Sequence, residues 1–182
     1  MKSAFRLVTL LLTVLSLTFS AMGVTPAHAA TLTVTNNADS GAGSLRDTIA
    51  AAAPGDTIVF ASGLSGQTIT LGSTLTIDKN LTIDGASLAS AVTVSGNNNV
   101  RVFSIAAGAT VTLNRLTIAN GNHPSTGGGI HNSGTLTVTN STFSSNGADF
   151  DGGGIFNVGT LTVTASTFSG NNANNDGGGI SN

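Results

Sequence analysis

The chain has 182 residues with six Lys or Arg, eight Asp and no Glu, and only 8% of its residues are charged, for a net charge of −2. That is too few cations for a nucleic-acid footprint and too few charges for a solvated acidic tail. Cysteine, Trp and Tyr are absent, which excludes disulfide frameworks, Cys–zinc sites, iron–sulfur clusters, thiol nucleophiles and sugar stacking on indole or phenol rings.

Residues 1–29 read as a secretory signal peptide. Lys2 and Arg6 precede an uncharged, mostly apolar run from Leu7 to Met22, and Gly23, Pro26 and the small-residue triplet Ala27-His28-Ala29 follow, which predicts cleavage after Ala29. The apolar run is too short and too interrupted by Thr and Ser for a retained anchor. Residues 30–56 are expected to form an N-terminal strand and a capping helix. Ser44 can N-cap a helix running through Leu45, Arg46, Asp47, Thr48 and Ile49, and Pro54-Gly55-Asp56 would end it. Leu45 and Ile49, four apart, share a face that can cover the end of a core.

From Thr57 to Asn182 the chain is repetitive. Gly127-Gly128-Gly129-Ile130 returns at Gly152-Gly153-Gly154-Ile155 and at Gly177-Gly178-Gly179-Ile180, a period of 25 residues. At the same offset Thr135-Leu136-Thr137-Val138-Thr139 meets Thr160-Leu161-Thr162-Val163-Thr164, and Ser141-Thr142-Phe143-Ser144 meets Ser166-Thr167-Phe168-Ser169. A looser form of this grammar is seen upstream, where Thr74-Leu75-Thr76-Ile77 aligns with Thr110-Val111-Thr112-Leu113, and Leu81-Thr82-Ile83 with Leu116-Thr117-Ile118. Apolar residues alternate with Thr over three to five positions, with Gly, Asn and Ser between, so the elements are short strands and corners. Helical and leucine-rich repeats need a helix that this pattern lacks, and a propeller needs a longer blade. The expected fold is all-β, a right-handed parallel β-helix of the pectin-lyase-like solenoid kind with a short N-terminal capping helix.

Coils stacked about 4.8 Å apart place like on like. Ile130, Ile155 and Ile180 should form one inward file, and Leu136/Leu161, Val138/Val163 and Phe143/Phe168 three more. Asn132, Asn157 and Asn182 should form an amide ladder at a corner. The third copy breaks off at Asn182 with its end uncovered, so the chain is expected to be the front of a longer protein.

The boxes Gly127-Gly128-Gly129-Ile130 with Phe143-Ser144-Ser145-Asn146, and Gly152-Gly153-Gly154-Ile155 with Phe168-Ser169-Gly170-Asn171, resemble the Gly-Gly-x-Ile and Phe-x-x-Asn repeat of polymorphic outer-membrane proteins and related bacterial β-helix surface proteins. The opening Gly43-Ser44-Leu45-Arg46-Asp47-Thr48-Ile49 and Asp56-Thr57-Ile58-Val59-Phe60 resemble the cap of many secreted bacterial proteins, with Gly43 and Asp47 where the commoner cap has Cys and Glu. The resemblance implies display at the bacterial surface or outer membrane, or secretion. The membrane barrel of autotransported members is not in this sequence, so membrane association would need a C-terminal part beyond Asn182.

Three functions follow as expectations. The first is an adhesion or structural scaffold with an unidentified extracellular or cell-surface ligand, bound over the Thr files and the turn loops 120–126 and 146–151. The second is a polysaccharide lyase or hydrolase, for which the only patch is Lys79 beside Asp78 and Arg115 beside Asn114, expected at equivalent places in adjacent coils; no paired carboxylates recur near a base. The third is an ice binder, using one file of Thr74, Thr110, Thr135 and Thr160 and another of Thr76, Thr112, Thr137 and Thr162, with unequal upstream coils expected to roughen the plane. Arg46 is assigned to the cap. Asp149, Asp151 and Asp176 read as a solvated turn, since calcium-roll spacing is missing, and His123 and His131 lack a metal-spaced partner. Asn80 and Asn140 match a glycosylation acceptor pattern that is uninformative in a bacterial setting. No catalytic, cofactor-binding or metal residue is assigned, and no cofactor or nucleic-acid partner is expected.

Overall fold

The computed structural model describes residues 29–182, so the expected signal peptide lies, but for Ala29, outside the described residues. The chain enters on β1 (Thr31–Val34), forms α1 (Leu45–Ala51), and then winds. One coil comprises β2 (Thr57–Phe60), β3 (Thr68–Thr70) and β4 (Leu75–Ile77), and the next β5 (Leu81–Asp84), β6 (Val92–Ser95) and β7 (Phe103–Ile105). Later coils gain a two-residue strand at one corner. They are β8 (Thr110–Asn114), β9 (Leu116–Ala119), β10 (Asn122–His123) and β11 (Ile130–Asn132); then β12 (Thr135–Thr139), β13 (Thr142–Ser144), β14 (Gly147–Ala148) and β15 (Ile155–Asn157); then β16 (Thr160–Thr164), β17 (Thr167–Ser169), β18 (Asn172–Ala173) and β19 (Ile180–Ser181).

Equivalent strands of successive coils pair in parallel, which is the β-helix expected from the repeat. The first sheet has six strands, β1-β2-β5-β8-β12-β16; the second, β3-β6-β9-β13-β17, and the third, β4-β7-β11-β15-β19, have five each, and β10-β14-β18 make a small corner sheet. Register follows the alternation of side chains, because a one-residue slip would turn every apolar group outward. Ile58, Ile83, Leu113, Val138 and Val163 therefore form one inward file of the first sheet, and Ile69, Val94, Ile118, Phe143 and Phe168 one of the second. The expected file Ile130–Ile155–Ile180 is in register and extends upstream through Phe103 to Leu75.

α1 closes the first coil. The Ser44 hydroxyl accepts from the Asp47 amide at 3.2 Å, and Leu45 and Ile49 are buried in the core, a contribution of about 1.5–3 kcal/mol each. The buried Asp56 carboxylate ties strand to helix end, accepting from the Ala30 and Ala53 amides at 2.7 and 2.8 Å.

The third sheet changes chemistry along one file. Ile77 and Ile105 give way to Asn132 and Asn157, which form the expected amide ladder: Asn132 donates to Asn157 at 2.6 Å, and Asn157 to Asn182. Each amide also bonds the turn two residues on, at Gly134 and Gly159. A second ladder, not foreseen as one, links Asn146 to Asn171 at 2.8 Å.

The corner between the first and second sheets requires a left-handed residue, held by Arg115 (φ 54°), Asn140 (φ 51°) and Ala165 (φ 48°). Asn tolerates that region and Ala does not. Ala165 is exposed, so no packing offsets its strain. Ala165→Gly is expected to stabilise the protein by about 1 kcal/mol, read as a raised thermal midpoint.

Four sequence expectations are corrected, and one slip in the upstream alignment produced three of them; Leu81-Thr82-Ile83, expected to match Leu116-Thr117-Ile118, pairs instead with Val111-Thr112-Leu113, and Thr117 sits opposite Thr93. Thr74 and Thr76 were aligned with Thr110 and Thr112, but β4 belongs to the third sheet and pairs with β7, so Thr76 sits opposite Ser104. The partner of β8 is β5, with Thr82 opposite Thr112. The same slip set Lys79 beside Arg115, whereas Arg115 lies at the corner after β8 and Lys79 runs under α1. The strands of different sheets share one Thr-x-Thr alternation, so the pattern fixes the face of each residue but not the sheet. Nor does unequal coil length roughen the first sheet. The step from Thr82 to Thr112 is five residues longer than its neighbours, and corner segments outside the strands absorb the difference while the ladder stays continuous.

Candidate functional site

Three surfaces carry the polar side chains that a ligand could meet. The first is a groove of about 330 Å³ between α1 and β4, lined by Arg46, Ile49, Thr76, Asp78 and Lys79 among others. Its cations are already engaged. Arg46 pairs with Asp39 at 2.6 Å and donates to the Ser73 and Thr74 carbonyls at 2.6 and 3.2 Å, so it pins the cap to the edge of the third sheet, as its assignment to the cap anticipated. Lys79 Nζ lies 3.2–3.5 Å from the Ile49, Ala50 and Ala52 carbonyls, where a cation offsets the negative end of the helix. Arg115, far from this groove, clasps the long corner of the preceding coil through the Ala86 and Ala89 carbonyls, both at 2.9 Å.

The second surface is the loop edge beside the small corner sheet. Arg101 is partly buried and donates to the Thr126 and Gly127 carbonyls at 2.5 and 2.8 Å, holding the first glycine box. Burial lowers its pKa. His131 stacks against Phe156 of the next coil with ring centroids 5.3 Å apart. Burial first, and then the charge of Arg101, push His131 below its ordinary value of 6.5; the same causes, with His131 third and Asp149 opposing, lower His123. The sequence set both histidines aside for want of a metal partner. Their shared neighbour Arg101 was invisible because it lies more than twenty residues away and has no repeat equivalent.

A depressed histidine pKa means that the folded state resists a proton which the unfolded chain accepts. This contribution to stability is intact above about pH 6.5 and is lost as pH falls through the lowered folded values. Acidification from pH 7.5 to 5 is therefore expected to lower the thermal midpoint. His131→Phe, which places Phe on Phe156 and removes one of the two groups, should show a smaller fall over the same interval.

Asp151 and Asp176 do occupy one turn, the Asp151 carboxylate accepting from the Asp176 amide at 3.1 Å and each backbone carbonyl closing the adjacent glycine box. Among the described residues no three His, Cys, Asp or Glu approach metal-ligand spacing.

The third surface is the outer face of the first sheet. Its central file is Thr31, Thr57, Thr82, Thr112, Thr137 and Thr162, one threonine on every strand. On one side run Thr110, Thr135 and Thr160; on the other, Thr33, Val59, Asp84, Asn114, Thr139 and Thr164. The Asn114 amide bridges coils, donating to Asp84 and accepting from the Thr139 hydroxyl, both at 2.9 Å.

No protein-family model matches the sequence, and no curated protein matches it. The fold itself defines the class: among the described residues, a parallel β-helix module of about six turns with one α-helix ahead of its first coil.

Proposed function

We propose that the protein is an exported β-helix module, displayed at the cell surface or secreted, that acts as a rigid adhesion or structural scaffold. The observation that carries this reading is the in-register stacking of all three main sheets around one continuous core. Such a body transmits its shape along the stack without a hinge, and its corners project loops laterally from every coil. The loops 120–126 and 146–151, on the same edge, are the segments offered to an extracellular or cell-surface ligand; nucleic acid does not suit a surface this poor in cations. Export would come from the signal read in residues 1–29.

Expression of the full chain in a bacterial host tests the reading. The exported product should have the mass of residues 30–182, and labelled protein should be retained saturably by cells, with retention lost when the exposed loop tips Pro124-Ser125 and Asp149-Phe150 are replaced by Gly-Ser while the buried Asn146 and the corner strands are kept. An uncleaved product confined to the cytosol would overturn export. Failure of any cell surface to retain the folded protein would overturn adhesion.

A further inference from the structure

The outer face of the first sheet goes beyond that reading. Six strands present one threonine each in a single file, and the last three, β8, β12 and β16, present eight threonines and Asn114 in a three-by-three array. Strand spacing sets neighbours about 4.8 Å apart along the stack, and the two-residue repeat sets them about 6.6 Å apart along each strand. The array is thus periodic in two directions. Among the described residues, no protein group engages a hydroxyl of the central file; Thr139 alone on this face donates its own, to Asn114. Among the described residues, Asp84 is the only charged one on the face.

Threonine is β-branched, so its χ1 is restricted in a strand and the positions of hydroxyl and methyl are largely set before any ligand arrives. A face of this kind binds with little loss of side-chain freedom. A small soluble ligand would engage one cell of the grid and leave the rest unused, and stacking on a sugar ring would need an aromatic side chain, which this face lacks. A ligand that uses every cell must itself repeat in two directions at intervals of this size and offer a hydrogen-bonding oxygen at each repeat. We infer that the outer face of the first sheet binds the surface of crystalline ice, its methyl groups seating between lattice oxygens and its hydroxyls bonding to them.

The test uses the exported full-length product in a supercooled droplet with a single seed crystal. The protein is expected to facet the crystal and to hold its growth below the melting point, an effect that rises with concentration. Thr137→Lys, at the centre of the array, should reduce the freezing gap at least tenfold, and Thr112→Lys likewise, with each variant's far-UV spectrum and melting transition checked against the parent. Thr142→Lys, at an outward position of the second sheet, should leave the gap unchanged. Rounded growth indistinguishable from buffer overturns the inference, as does an equal loss in Thr142→Lys. Retention of the parent protein on insoluble crystalline polysaccharide without an effect on ice would also overturn it, assigning the grid to another lattice.

Discussion

Phe143→Ala is expected to cost about 3–5 kcal/mol and to lower the thermal midpoint by on the order of 10 °C. Phe143 is fully buried at the middle of an inward file, stacked on Phe168 with centroids 4.6 Å apart and planes within 4°, and it faces Ile118 in the coil before. Truncation removes a ring that touches the coils on both sides, and backbone ladders fixed above and below prevent collapse into the space. Phe168→Ala should cost roughly half as much, since Phe168 is only half-buried and has a ring on one side. Thermal melts of the two variants side by side check the ratio. Equal losses would mean that the outer coil is as tightly packed as the inner one.

Asn146→Ala is expected to lose roughly 3 kcal/mol without creating a large void, because the cost is polar. Asn146 is 1% exposed. Its carbonyl oxygen accepts from the Gly121 amide at 2.9 Å, and its amide donates to the Ile118 carbonyl at 3.0 Å and to the Asn171 side chain at 2.8 Å. Alanine leaves the buried Gly121 amide of the preceding coil without its partner, while the Asn171 oxygen keeps the residue-146 backbone amide at 3.0 Å. Asn146→Asp should be worse near neutral pH, where a carboxylate would face the Ile118 and Asn171 oxygens. Burial raises the pKa of the new carboxyl above its unfolded value, so the deficit should shrink as pH falls from 7 towards 4, while that of Asn146→Ala should not. Urea melts of both variants at the two pH values distinguish the cases.

The exact repeat and the N-capped helix at Ser44 were legible, because each has a local pattern; contacts between single residues of different coils were not. Gly-Gly-Gly-Ile at a constant interval and Thr-Leu-Thr-Val-Thr with an identical copy specify coil length, inward files and the Asn132 ladder, because stacking forces equivalent residues together. The Asn146–Asn171 ladder is present in the Phe-x-x-Asn boxes, whose Asn lies three residues after an inward Phe and so reaches the core at the next corner. Upstream the coils differ in length, and local similarity then matched Thr74-Leu75-Thr76-Ile77 to a strand of the wrong sheet. Alternation carries no information about which of three sheets a strand joins. Single residues such as Arg101, Arg115 and Lys79 act across coils on carbonyls, which leave no trace in a sequence pattern.

The near-identity of the last two coils has a genetic consequence. In-frame loss of residues 135–159 would bring β16 against β8 with Thr160 on Thr110, Leu161 on Val111 and Val163 on Leu113, the same residue pairs that β12 makes now. β17 would replace β13 with the same Thr-Phe-Ser, and β19 would meet Ile130 of β11 with the same isoleucine that β15 sets there now. The strand pairings would be kept, while the Phe143–Phe168 stack, the His131–Phe156 ring contact and the Asn140–Asn114 bond would go with the lost coil. Unequal recombination between such copies can therefore lengthen or shorten the protein one turn at a time with its strand register kept, and its natural unit of variation is the whole coil.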